Sequence, residues 1–157
     1  MLSRARASTA KPRQHAATQP AHIDPDAELA GTVRGEHVLV IGASALEVMC
    51  TLQRKGAAEV MLLRQGAKPE QHTADLAIAA AVRTLEQATS ALAQAGRALT
   101  ESGRVILRMV ADSTGRLAQS VAQMLRLHGF SGVRVRQTGE GALVIGTRTW
   151  FGPVVRA

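Results

Sequence analysis

The stretch VAQMLRLHGFSGVRVRQTGEGALVIGTR (121–148) decides the fold of this chain. It opens inside an amphipathic segment that ends at Gly129, and glycine is typical of helix C-termini. Two strand-like runs follow at 132–138 and 142–148, and only the residues GEG lie between them. Because strands joined by so tight a turn pair antiparallel, this stretch predicts an antiparallel hairpin.

Upstream of the hairpin, apolar runs alternate with amphipathic segments. The predicted strands there are 37–42, 58–64, 74–80 and 104–110. The first of them, HVLVIG, is apolar on both faces, which is typical of a strand covered on both sides. Strands that alternate with helices form a mainly parallel sheet with helices on both faces. We therefore predict an α/β fold whose last two strands are antiparallel.

Three amphipathic segments between these strands are predicted to be helices. The first covers 44–54 with Ser44 as its N-cap, and the second covers 82–100. The third begins after a cap at Ser113 or Thr114. The residues expected on its inner stripe are Leu117, Val121, Met124, Leu125 and His128.

The chain length of 157 residues suits one domain with flexible ends. We divide it into a basic tail (1–33), an α/β domain (34–150) and a C-terminal tail (151–157). The first tail has almost no large apolar residues to offset the entropy of ordering, so it is predicted to be disordered. Its first 23 residues carry basic side chains and no acid, which leaves a targeting segment open beside the favoured plain tail.

The composition limits the kinds of partner that the chain is expected to bind. The net charge of +7 would suit an anionic partner, but aromatic residues make up only 2% of the chain and no basic run occurs. Nucleic-acid binding is therefore possible but not favoured.

No apolar run is long enough to cross a bilayer. The single cysteine, Cys50, fits a reducing compartment, so we predict a cytoplasmic protein, with organellar targeting left open. The Cys and His residues lack metal-ligand spacing, and no metal is predicted.

Three stretches resemble the Rossmann-like methyltransferases that use S-adenosylmethionine (SAM). They are HVLVIGAS (37–44), ADLAIAAAVRTLEQATSALAQAGRALTESGRVILRM (74–109) and the stretch quoted first. The last is the most specific, because a closing hairpin after a parallel sheet is the topological mark of that family. The resemblance covers most of 35–148, and it implies the family's fold and SAM as a possible cofactor.

The resemblance also implies where a cofactor would bind. The glycine-rich turn of the family follows its first strand, and further contacts come from the ends of the neighbouring strands. The positions of this chain that match are Gly42, Ala43, Ser44, Arg64, Asp75 and Ala79. No catalytic residue is implied.

The chain departs from the family pattern at this implied site. Val40 stands where the family has an acid, and Ser44 and Leu46 replace two glycines whose missing Cβ lets the cofactor approach. Arg64 follows the second strand, where the family has an acid that accepts hydrogen bonds from the ribose, and arginine cannot accept one. The segment 64–73 is too short for the family's third strand and its preceding helix, so we expect a trimmed sheet edge.

Other polar residues near the strand ends have ordinary explanations as well as chemical ones. Asp112 and Ser113 could face a cleft, but capping of the next helix accounts for them equally well. His72 lies in a loop, and a lone loop histidine is expected to be solvated.

Two functions follow as hypotheses. The favoured one is a methyltransferase-like pseudoenzyme that has lost or weakened cofactor binding and serves as a non-catalytic interaction module. Its partner would be another protein or a second copy of the chain, bound through the trimmed sheet edge. The alternative is an active SAM-dependent methyltransferase with an unidentified substrate.

Overall fold

The computed structural model describes residues 33–42, 45–64, 66–139 and 141–149, which form a six-stranded sheet with three helices. The strands are β1 (His37–Ile41), β2 (Glu59–Leu63), β3 (Ala74–Val82), β4 (Leu99–Val110), β5 (Phe130–Thr138) and β6 (Gly141–Arg148). The helices are α1 (Ala45–Arg54), α2 (Leu85–Ala98) and α3 (Arg116–Leu127).

The strand order is β2-β1-β3-β4-β6-β5. The first four strands run parallel, because α1, α2 and the segment 64–73 carry the chain back between them. β6 is antiparallel to both of its neighbours, β4 and β5. The predicted α/β fold with a closing antiparallel pair is confirmed.

Hydrophobic clusters cover both faces of the sheet. On the first face, α2 and α3 pack on strand residues such as Leu107 and Val144. On the second face, Leu52 of α1 packs with strand residues that include Val38 and Leu143. Side chains alternate between the faces along each strand, so the helices on both sides give every central strand two apolar faces.

The connection from β2 to β3 is short, as predicted. Its described residues, at 64 and 66–73, form neither helix nor strand. Its end is held on α2, where the Thr73 amide donates to the carbonyl of Ala98 at 2.9 Å and the His72 amide to that of Arg97 at 3.2 Å. With no further strand beyond it among those described, β2 forms an edge of the sheet.

The bounds of β4 differ from the prediction. The strand begins at Leu99, so it includes the ESG residues predicted as a turn. Ser102 has a φ of 63°, and the pairing with β3 shifts register between Ala74 and Leu76. An irregularity of this kind is typical of a bulge, which interrupts the alternation of side chains that marks a strand in a sequence.

The predicted cap and stripe of α3 also need correction. The N-cap is Gly115 and makes no side-chain cap hydrogen bond, so neither Ser113 nor Thr114 fills that position. His128 is the C-cap and is exposed, with its Nδ1 2.8 Å from the carbonyl oxygen of Met124. The stripe therefore ends at Leu125, and His128 lies at the helix end rather than in the core.

Val33 is the last residue of the predicted amino-terminal tail. It is 1% exposed and belongs to the second-face cluster. The rest of that tail, 1–32, and the C-terminal residues 150–157 lie outside the described residues, as does the predicted cap Ser44. None of the helices that the structure describes is long and apolar enough to cross a membrane.

Candidate cofactor site

The strand order locates one crevice by topology. The chain leaves β1 toward β2 and leaves β3 in the opposite direction, toward β4. Loops that diverge in this way open a space at the carboxyl ends of the two strands, where open α/β sheets bind their ligands. The site is therefore built from Gly42, which follows β1, and from the ends of β2 and β3.

Gly42 forms the floor of this space. Its amide donates to the carbonyl of Leu63 at 3.1 Å, which extends the pairing of β1 with β2 by one residue. Its φ of +101° lies in a region that side chains with a Cβ rarely adopt, and an added Cβ would meet nothing within 4 Å. Backbone conformation, rather than crowding, thus explains the glycine.

The rest of the turn is described only from the helix onward. Ala43 and Ser44 lie outside the described residues. Leu46, in the first turn of α1, is 63% exposed and joins neither hydrophobic cluster. The helix that follows Gly42 therefore begins with a solvent-exposed apolar side chain in its first turn.

Arg64 lies beside Gly42, because its neighbour Leu63 pairs with Ile41. The Arg64 side chain is exposed, and a guanidinium offers donors only. Its backbone is well held, since its carbonyl accepts hydrogen bonds from the amide of Ala67 at 3.0 Å and from Nε2 of Gln94 at 3.1 Å. An exposed cationic side chain thus follows the end of β2.

Ala79 and Asp75 lie at different positions along β3. Ala79 pairs with Ile41 and is therefore near Gly42, but it is buried in the first-face cluster. Asp75 lies four residues earlier, at the amino end of the strand, where its Oδ2 accepts from the His37 amide at 2.9 Å. Four residues of strand span about 13 Å, so Asp75 is separated from the other implied residues.

Asp112 follows β4 and is 8% exposed. Its Oδ2 accepts from the Ala118 amide at 2.9 Å and its Oδ1 from the Leu117 amide at 3.4 Å. Of the two explanations left open for this residue, the structure supports capping, because both oxygens satisfy amides of the first turn of α3. The role of Asp112 at the start of α3 therefore accounts for its burial.

The histidines that the structure describes do not gather at the crevice. His72 precedes β3, so it lies at the amino ends of the parallel strands, whereas Gly42 lies at their carboxyl ends. Its Nδ1 is 3.1 Å from the carbonyl oxygen of Leu99. His37, at the start of β1, contacts Asp75 at 3.4 Å. Within the described ranges, no group of three or more His, Cys, Asp or Glu side chains could hold a metal ion.

Sequence analysis missed one residue of this region, Gln94. It is buried on the inner side of α2, and its Nε2 donates to the carbonyls of both Arg64 and Ala67, at 3.1 and 2.8 Å. These bonds fix the loop that follows β2. A polar residue inside the alanine- and leucine-rich stripe of a helix was the signal that could have revealed it.

Comparison with solved structures identifies the architecture. A SAM-dependent O-methyltransferase from Thermotoga maritima superposes with a TM-score of 0.63 at 12% identity, covering 85% of this chain and 68% of its own. The fold is that of the SAM-dependent methyltransferases. Another such structure, the 1,6-didemethyltoxoflavin-N1-methyltransferase of Burkholderia thailandensis, has a TM-score of 0.62 at 15% identity and covers 83% of this chain and 79% of its own.

A third methyltransferase structure extends the comparison to a smaller protein. The SAM-dependent methyltransferase of Mesorhizobium loti matches with a TM-score of 0.52 at 12% identity, over 74% of this chain and 92% of its own. No protein-family model matches the sequence, and no curated protein matches it. At identities this low, the methyltransferase likeness establishes the fold alone.

The described residues fit SAM only in part. Gly42 leaves space above the turn of the methyltransferase fold, as a bound adenosyl group would need. The resemblance to the methyltransferases implies an acceptor for the ribose hydroxyls at the end of β2, whereas the side chain of Arg64 offers only donors. Among the described residues of that strand end, the fit to SAM is therefore incomplete.

Proposed function

We propose that this chain is a non-catalytic relative of the methyltransferases, in which SAM binding is weakened or lost and the domain serves as an interaction module. One observation carries the proposal: the exposed Arg64 follows β2, where the resemblance to the methyltransferases implies a carboxylate for the ribose. Asp112 does not take over, because it follows β4, three strands from β2 in the sheet order, and its buried carboxylate caps α3.

The alternative, an active SAM-dependent methyltransferase, has one observation in its favour. Gly42 keeps the left-handed φ and the open space of a ligand-binding turn. The Burkholderia methyltransferase of the same fold was solved with S-adenosylhomocysteine bound. A direct measurement of SAM binding separates the two functions.

Calorimetric titration of the full chain with SAM, followed by melting curves, makes that measurement. We expect no heat and no rise in Tm at millimolar SAM, whereas a ligand at a hundredfold excess over its Kd stabilises the native state by about 2.7 kcal/mol. Micromolar binding by the wild-type chain would overturn the proposal.

Replacing Arg64 tests the cause. Arg64→Glu restores a carboxylate beside Gly42, and a charge-assisted hydrogen bond to ribose should tighten SAM binding by about tenfold or more. Arg54→Glu, an exposed position in the last turn of α1, makes the same charge change away from the crevice and should leave binding unaltered. Equal affinities for both variants would mean that Arg64 is not the reason for weak binding.

For the interaction itself, we propose self-association through edge strand β2. Its sequence EVMLL is apolar after the first residue, and Leu62 is 49% exposed. An edge strand presents unpaired amides and carbonyls that a second copy can pair with.

Light scattering on a sizing column tests this pairing. A dimer is expected for the wild-type chain and a monomer for Leu62→Lys, whose charge blocks the edge. Leu127→Lys alters a leucine that is 79% exposed on α3, and it should leave the dimer intact. A wild-type chain that stays monomeric at high concentration would contradict the proposed surface.

A further inference from the structure

The outer border of β2 presents a small, defined set of backbone groups. The Leu63 carbonyl accepts from the Gly42 amide at 3.1 Å, so the backbone groups of Leu63 face β1. β2 pairs with β1 in step over its five residues, and along such a strand successive residues turn their backbone groups to opposite sides. The amides and carbonyls of Val60 and Leu62 therefore point away from β1, where no described strand lies.

The neighbours of these two residues already have hydrogen-bond partners. On the amino side, the Ala58 amide donates at 2.9 Å to the carbonyl of the residue that precedes β1. On the carboxyl side, the Arg64 carbonyl accepts from the Ala67 amide at 3.0 Å and from Nε2 of Gln94 at 3.1 Å, which occupies both of its lone pairs. A strand that docks on this border is therefore bound by the two residues between Ala58 and Arg64 that face outward.

We propose that two copies of this chain pair through β2 in one register, with Val60 of each copy opposite Leu62 of the other. The two Met61 residues then face each other on the two-fold axis. An opposed pair of antiparallel residues whose backbone groups face each other exchanges both of its hydrogen bonds, so this register uses every outward amide and carbonyl of Val60 and Leu62. The inference rests on the self-association proposed above and specifies its geometry.

Symmetry and the occupied neighbours disfavour the other registers. Opposed residues share a face of the sheet and successive residues do not, so a two-fold pairing must centre on a residue that faces its own counterpart. Centring on Leu62 would set the Val60 amide against the Arg64 carbonyl, which already accepts two hydrogen bonds. Centring on Val60 would set the Leu62 carbonyl against the Ala58 amide, which already donates. Centring on either end of β2 leaves one outward residue opposite no strand, and only Met61 avoids every mismatch.

The side chains of β2 favour a second copy as the occupant of this border. The one charged residue of the strand, Glu59, is at its end and lies opposite Leu63 in this register, so like charges do not face each other. On the first face, Met61 meets its counterpart. On the second face, the exposed side chain of Leu62 gains Val60 of the second copy as an apolar neighbour.

Cysteine cross-linking measures the register. In a Cys50→Ala background, which removes the native thiol of α1, Met61→Cys places two thiols in a pair whose Cα atoms are about 4.5 Å apart, where a disulfide fits. Val60→Cys and Leu62→Cys place identical thiols at diagonal positions about 7–8 Å apart, too far for a disulfide. We expect Met61→Cys to oxidise to a covalent dimer at least about tenfold faster than either, because opposed thiols react at a high effective concentration.

A mixed sample gives a second measurement that leaves Met61 unchanged. Chains with Val60→Cys and chains with Leu62→Cys should cross-link to each other, because these two positions are directly opposed. Leu127→Cys, at a position on α3 that is 79% exposed, gives the rate of disulfide formation by random collision.

The outcomes separate the register from the self-association on which it rests. Self-cross-linking of Val60→Cys or Leu62→Cys as fast as that of Met61→Cys would overturn the register. So would a dimer in light scattering whose Met61→Cys and mixed samples oxidise no faster than Leu127→Cys. A wild-type chain that is monomeric in light scattering would instead overturn the self-association, and the register with it.

Discussion

Two glycines, Gly42 and Gly141, show how the leading and closing halves of the sheet differ. A Cβ at Gly42 would enter open space, whereas one at Gly141 would overlap the carbonyl oxygen of Met109 on β4. Gly146, on the same strand as Gly141, is also crowded, since its Cβ would lie 2.8 Å from Cδ2 of Leu125. The closing half is thus defined by close approach of backbone and helix, and the leading half by a glycine beside open space.

Gly141→Ala should have the largest effect of the changes that test this contrast. The overlap is with backbone, which cannot move aside as a side chain can, so we expect a loss of about 4 kcal/mol or more in the free energy of unfolding, measured with urea. Gly139→Ala is the matched control, because a Cβ there meets nothing within 4 Å. Similar stabilities of Gly141→Ala and Gly139→Ala would show that the close approach of Gly141 to β4 does not constrain the closing half.

Leu143→Ala extends the contrast to the second face. Leu143 is fully buried in the second-face cluster, so its truncation should cost about 3 kcal/mol, as for other core leucines. Leu127→Ala, at an exposed position of α3, should stay within about 0.5 kcal/mol of the wild type. A small loss at Leu143 would mean that water reaches this part of the second face in solution.

Gln94→Ala probes what holds the leading half in place. Two carbonyls that accept from Nε2 would lose their donor below the loop, and we expect a loss of about 2 kcal/mol together with faster exchange of the Ala67 region. The control Gln123→Ala changes an exposed glutamine of α3. Unchanged stability in thermal melts of Gln94→Ala would show that the loop is held by other contacts.

Gly42→Ala should have the smallest effect on stability. Space is available, so only the backbone conformation opposes the new Cβ, and the loss should be about 1 kcal/mol. Comparison with Gly141→Ala in the same urea series gives the sharpest form of the contrast. A loss at Gly42 equal to that at Gly141 would contradict the open space above the turn.

The sequence predicted most of the fold because its signals were periodic. Alternation of apolar runs with amphipathic segments, and the three-residue turn at 139–141, predicted the helices on both faces and the antiparallel closing pair. The bounds of β4 were missed because a bulge at Ser102 hid the start of the strand. The Gly115 cap was missed because the carboxylate that caps α3 lies three residues before it, at Asp112.

The candidate site was harder to predict, because a sequence motif does not show whether a residue lies at the amino or the carboxyl end of its strand. Asp75 opens a parallel strand, and all such starts meet at the edge opposite Gly42, so its position follows from topology. Gln94 acts through loop carbonyls that no sequence pattern marks. The roles of Ala43 and Ser44, which lie outside the described residues, stay predictions.

The insertion of β6 between β4 and β5 has a consequence for biosynthesis. Until residue 148 has left the ribosome, β4 and β5 lack the strand that joins them, and the nascent sheet ends at a long, apolar β4. Vectorial synthesis can therefore assemble the parallel part early but not the complete sheet. During that interval the exposed border of β4 is the part of the molecule that a chaperone would need to shield.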